Sequence, residues 1–155
     1  MRIRCTINSL SYLLLLASVW GLHAEAVAVE AEPNIYYIQL IRGTDQERRP
    51  EPDWRPIGPK VGHRLSPIFR WKNYWEVNCQ RISVESGKIS RSRLSGDRQV
   101  EIELVNPSEV EIRVYLKGKL METSRQLTRT RMIIMGGERS KDESWFVVVR
   151  RDKPQ

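Results

Sequence analysis

From Val100 to Leu116 the chain alternates apolar and polar side chains with a period of two. Val100, Ile102 and Leu104 leave one face while Glu101 and Glu103 leave the other. After Asn106-Pro107-Ser108, Val110, Ile112, Val114 and Leu116 repeat the pattern against Glu111, Arg113 and Tyr115. Successive side chains of a strand point to opposite faces, whereas an amphipathic helix needs apolar residues three or four apart. The stretch therefore predicts two half-buried strands joined by a turn.

The rest of the chain follows the same rule. Asn34 to Arg42 (NIYYIQLIR), rich in aromatic and β-branched residues, predicts the first strand. Strand signals run from Phe69 through Val84 to Ser86-Gly87, then from Lys88 to Leu94 as far as Ser95-Gly96-Asp97. Lys117-Gly118 is placed for a tight hairpin turn, with a weaker strand through Leu120 and Met121 beyond it. RMIIM (131–135) and WFVVV (145–149) are continuously apolar, which predicts burial on both faces and hence central strands. Between residues 43 and 67 lie five of the eight prolines and three glycines, which predicts a long loop without helix or strand, functional or docked along a surface. No sustained helical period and no internal repeat appear. The expectation is all-β: a single β-sandwich, Greek-key or immunoglobulin-like, of about seven or eight short strands, preferred to a small barrel.

The N-terminus carries a different signal. Arg2 and Arg4 precede an apolar run from Leu10 to Trp20, too short to span a bilayer, and Ala24-Glu25-Ala26 matches a small-residue cleavage site. Residues 1–26 thus read as a signal peptide, 27–33 as a flexible leader and 34–155 as the folded domain, with no stable transmembrane segment after cleavage. Cleavage lowers the net charge from +7 to +6 and places the chain in the periplasm or outside the cell. Cys79 is then the one cysteine, so an intramolecular disulfide is impossible, and a buried small hydrophobe is its expected role, ahead of a thiol that pairs with another molecule. No N-x-[ST] acceptor exists, which favours a bacterial envelope.

Catalytic constellations are scarce. His63 and Cys79 are the sole nucleophile–base candidates after cleavage, with no local motif around either. One histidine and one cysteine fall short of a zinc site, and Gly136-Gly137 lacks the ending of a phosphate loop, so no cofactor or metal is implied. Acidic pairs exist but nothing singles one out.

Charge and aromatic residues cluster more distinctly. Residues 99–112 carry four acids and no base, whereas 113–131 carry Arg113, Lys117, Lys119, Arg125, Arg129 and Arg131 against Glu122 alone. If Ser95-Gly96-Asp97 closes a three-residue hairpin, Arg91 falls opposite Glu101, so cross-strand pairing explains part of the pattern. The basic group containing Arg125, Arg129 and Arg131 stays open between that account and a strip for an anionic partner. Phe69-Arg70-Trp71-Lys72-Asn73-Tyr74-Trp75 packs four aromatics into seven residues; alternation puts Phe69, Trp71 and Trp75 on one side and Tyr74 on the other. It is either core beneath the Pro-rich segment or an exposed platform flanked by Arg70 and Lys72. The expected function is non-catalytic binding or scaffolding in the cell envelope, through Arg70, Trp71, Lys72, Tyr74, Trp75, Arg125, Arg129 and Arg131. The partner would be an envelope protein or an anionic glycan rather than nucleic acid. The alternative is a small secreted or periplasmic hydrolase using a carboxylate pair.

Overall fold

The computed structural model describes residues 34–154 except Arg70, with the side chains of 137–139 also left aside. The signal-peptide and leader readings over 1–33 lie outside the described residues.

Among the described residues, nine strands form two antiparallel sheets and one short helix accompanies them. In chain order these are β1 (Asn34–Thr44), β2 (Arg55–Pro56), α1 (Pro59–Leu65), β3 (Asn73–Val84), β4 (Ile89–Arg93), β5 (Arg98–Asn106), β6 (Glu109–Leu116), β7 (Lys119–Leu127), β8 (Met132–Arg139) and β9 (Glu143–Arg150). Sheet A runs β2-β3-β1-β9-β8 and sheet B runs β4-β5-β6-β7, a plain meander. The two-residue β2 is the strand beyond the expected count.

The alternating residues of β5 and β6 do what their period demands. Val100, Ile102, Leu104, Val110, Ile112 and Val114 are buried against Tyr36, Ile38 and Leu40 of β1 and Val147 and Val149 of β9. This is the inter-sheet core, where each buried aliphatic side chain contributes about 1.5–3 kcal/mol of transfer free energy. At the β6–β7 hairpin Lys117 and Gly118 take φ of 50° and 77°, the left-handed pair that a tight hairpin turn requires.

Sheet A is buried on its second face too. Ile41, Tyr74, Phe146 and Val148 pack there against Val61 and Leu65 of α1, with Ile57, Phe69 and Trp71 around them. The Pro-rich segment is therefore not free of regular structure. Proline at the first helical position lacks only a donor that the helix would leave unpaired, so Pro59 starts α1 rather than preventing it. Val61 and Leu65, four apart, put its apolar stripe on the sheet. Pro56 is tolerated because β2 is an edge strand.

RMIIM also departs from expectation. β9 is central, between β1 and β8, but β8 is the edge of sheet A. Ile133 and Met135 face the inter-sheet core while Met132 and Ile134 pack on the outer cover, so two-sided burial occurs here without a central position.

Candidate functional site

The inner face of sheet A ends in a cluster of arginine and tryptophan. Register sets Arg42 of β1 between Trp75 of β3 and Trp145 of β9. The Arg42 guanidinium lies 5.2 Å from the ring centre of Trp54 and 5.9 Å from that of Trp145, and those two rings meet edge to face at 6.1 Å. From sheet B, Arg98 reaches across to stack 4.4 Å from the Trp145 ring and bonds Asp97. Glu143 pairs with Arg42 and accepts the Trp145 indole N–H at 2.9 Å. Cation–π contacts of this kind each contribute about 0.5–2 kcal/mol. Arg42 Nε and Trp75 Nε1 are buried without hydrogen-bond partners, so the cluster holds donors beyond those its own bonds use.

Beside this cluster the two sheets part. A cleft of about 320 Å³ opens between β6–β7 and β8–β9, lined by Leu40, Val114, Leu116, Met121, Trp145 and Val147. Its polar groups are few. Arg98 stands over the Trp145 floor, and Glu122 crosses from β7 to accept the Gly136 N–H at 2.7 Å. Gly136 has φ of 102° at a bulge in β8, and a Cβ there would meet the Trp145 carbonyl oxygen at 2.8 Å. The close approach of β8 to β9 at the cleft therefore depends on glycine.

The outer face of sheet B is closed by charge instead. Arg91 sits opposite Glu101, as the three-residue hairpin requires, and bonds it at 2.7 Å. Tyr115 donates to the other Glu101 oxygen at 2.9 Å. Arg113 bridges Glu103 and Glu111, and Glu111 is shared with Arg125 at 2.7 Å. Glu103 and Glu111 face each other directly in register, a like-charge pair that is tolerable only with Arg113 between them. The Arg91 hydrogen bond, with that from Tyr115, outweighs partial burial and holds the Glu101 carboxyl below the usual range. Arg125 does the same for Glu111, with Arg113 adding to it.

Of the aromatic–basic run, Tyr74 is buried in the outer cover and donates its hydroxyl to the Phe69 carbonyl. Phe69 and Trp71 precede β3, so strand alternation does not govern them; both join Tyr74 on the outer cover, and Trp75 alone takes the inner face. The expected split, with Tyr74 opposite Phe69, Trp71 and Trp75, is thus corrected. Trp71 is half-buried over Gly43, and Lys72 is exposed, its backbone N–H bonded to Asp45. Arg70 lies outside the described residues. Arg125 belongs to the charged face, while Arg129 and Arg131 are exposed beyond the end of β7.

Cys79 is exposed on the outer face of sheet A, which corrects the buried reading: it lies on β3 beside the buried Gln39 and outside the apolar cluster that packs around α1. Partial desolvation and the nearby Glu76 push its thiol up, away from the reactive thiolate. His63 lies on the exposed side of α1. Among the described residues no cluster of His, Cys, Asp and Glu could hold a metal ion, and no helix is long and apolar enough to cross a membrane.

Sequence reasoning missed the Arg42–Trp54–Trp145–Arg98 cluster. Its members come from β1, the Pro-rich segment, β9 and β5, and only the strand register brings them together. Comparison with protein-family models, with curated proteins and with solved structures returned no significant match.

Proposed function

We propose that this chain is an exported, non-catalytic binding domain of the cell envelope, and that it holds a partner protein at the cleft between its sheets. The observation that carries this reading is the cleft itself: a mostly apolar lining with a tryptophan floor, and Arg98 and Glu122 as its charged groups. Concave, mostly apolar sites with few polar groups take apolar side chains, and tryptophan with arginine is the pair most enriched where binding energy concentrates. An anionic glycan would need a polar floor that this cleft lacks. Export follows from the signal pattern of residues 1–26.

The carboxylates support a non-catalytic role over the hydrolase alternative. Glu101, Glu103 and Glu111 gather around Arg113 on the outer face of sheet B, and Glu101 and Glu111 are held ionised there by arginine. A hydrolase of that type needs one carboxyl that keeps its proton near neutral pH.

Site-specific photocrosslinking in living cells tests the reading. A photoreactive residue at Met121, on the cleft rim, should give one discrete protein adduct in the envelope fraction. The same residue at Arg91, on the opposite edge of sheet B, should give none. Equal labelling from both positions, or none from Met121, would overturn the proposal.

A further inference from the structure

Strand β7 is a long edge of sheet B, guarded by charge and a bulge but not by short length. Edge strands present unpaired N–H and C=O groups, and folded proteins normally blunt them with short length or charge. β7 runs nine residues, and it carries three of the large apolar side chains most exposed among the described residues: Leu120 (48%), Met121 (54%) and Leu127 (41%). Met121 is a bulge, unpaired with β6, whereas Glu122 to Leu127 keeps regular register opposite Glu109 to Val114. A stretch of six residues in regular register thus lies along the edge of sheet B.

The charges say what would close it. Across the outer face of sheet B, arginines and glutamates bridge from strand to strand, from Arg91 through Glu101, Arg113 and Glu111 to Arg125. The sequence of bridges stops on a cation at the open edge. Glu111 already serves Arg113 as well as Arg125, so this last guanidinium shares its one acid. Lys119 opens the strand and Lys117, Arg129 and Arg131 flank it, all exposed and, among the described residues, without ion pairs. A second copy of the chain pairing edge to edge would bring these same cations together, so self-association is disfavoured.

We infer that β7 receives an extended segment of an acidic partner protein as a fifth strand of sheet B, with an acid of that segment opposite Arg125. The inference deepens the proposed function and rests on it, naming the mode of binding and the chemistry of the partner. Main-chain hydrogen bonds along Glu122 to Leu127 supply affinity, and the alternating side chains supply register. The acid beside Arg125 extends the bridging by one more strand. Apolar neighbours in the segment cover Leu127 and the exposed rim at Met121.

The probe is a short peptide alternating glutamate with valine, added to the full chain and read by amide hydrogen exchange. At saturation, exchange from Glu122 to Leu127 should slow on the order of ten-fold, while the other edge of sheet B, β4, is unchanged. A backbone N-methylated version of the peptide keeps its charges but cannot pair, and should protect nothing. A lysine–valine peptide should not bind, and Arg125→Gln should weaken the glutamate peptide roughly two- to five-fold. Equal binding by the N-methylated or lysine peptide overturns the inference, as does protection at β8 instead of β7. So does a β7 already protected by self-association without peptide. Crosslinks from Met121 that persist while β7 gains no protection leave partner binding standing and remove strand addition alone. Loss of both results removes both.

Discussion

Sheets A and B obey one alternation rule but end in opposite surfaces. Sheet A is buried twice, by sheet B on one face and by α1 with the Pro-rich segment on the other, and β1 and β9 are correspondingly apolar on consecutive positions. Sheet B is buried once, and its second face is closed by arginine–glutamate bridges. Sheet A is thus held by area removed from water, and sheet B partly by charges that salt and acid can reach. The contrast also bears on the proposed binding role. The double cover leaves sheet A little open surface, whereas sheet B offers its edge and its half of the cleft.

The contrast breaks first, and most, on the outer cover of sheet A. Phe146 is buried and its ring lies 4.5 Å from Phe69 and 6.3 Å from Tyr74. Phe146→Ala should cost about 3–5 kcal/mol in denaturant unfolding. A loss under about 1 kcal/mol would mean that the α1 side is a loose flap rather than a second core. Next comes Gly136, where the two sheets meet across the cleft. Gly136→Ala adds a Cβ 2.8 Å from a backbone oxygen at a positive φ, and should cost roughly 1–3 kcal/mol, with altered emission from Trp145.

Smaller effects sharpen the charged side. Glu111→Gln leaves Arg113 and Arg125 with a weaker common partner and should cost about 1 kcal/mol at low ionic strength, shrinking in high salt. Its pH signature separates it from a packing defect. Glu101 and Glu111 are held below the ordinary carboxyl value, so their stabilisation is full above about pH 4.3 and is lost as pH falls through their folded values. Glu111→Gln should therefore flatten the acid limb of a stability–pH curve, and Phe146→Ala should shift that curve without changing its slope. The smallest change is Arg91→Ala at the exposed end of the charged face: Glu101 keeps Tyr115 and Arg113, so only a slight fall in Tm is expected, confined to pH values where Glu101 is ionised.

Much of this division was legible in the sequence, because strand period and burial are the same fact seen twice. The pairing of Arg91 with Glu101 followed from the length of the Ser95-Gly96-Asp97 loop, and the hairpin from Lys117-Gly118. Other features could not be read. β8 shows that apolar residues on consecutive positions report burial of both faces and say nothing of hydrogen-bond neighbours. α1 spans too few residues for a periodic signal, and its marks are Pro59 with Val61 and Leu65 four apart. The Arg–Trp cluster assembles from four distant segments, and no local spacing encodes that. The Phe69–Trp75 run stands out by local density, yet density alone does not separate a surface from the cover of a sheet.

The meander of sheet B has a consequence in time. All its pairings join neighbours in the chain, from Ile89 to Leu127, while β1 must wait for β3 and then for β9, with Tyr37 finally beside Arg150. Local hairpins close quickly and distant pairings slowly. A chain that emerges N-terminus first would thus complete sheet B while β1, already beside β3, still lacked β9 on its other side. The last strand to arrive completes the first.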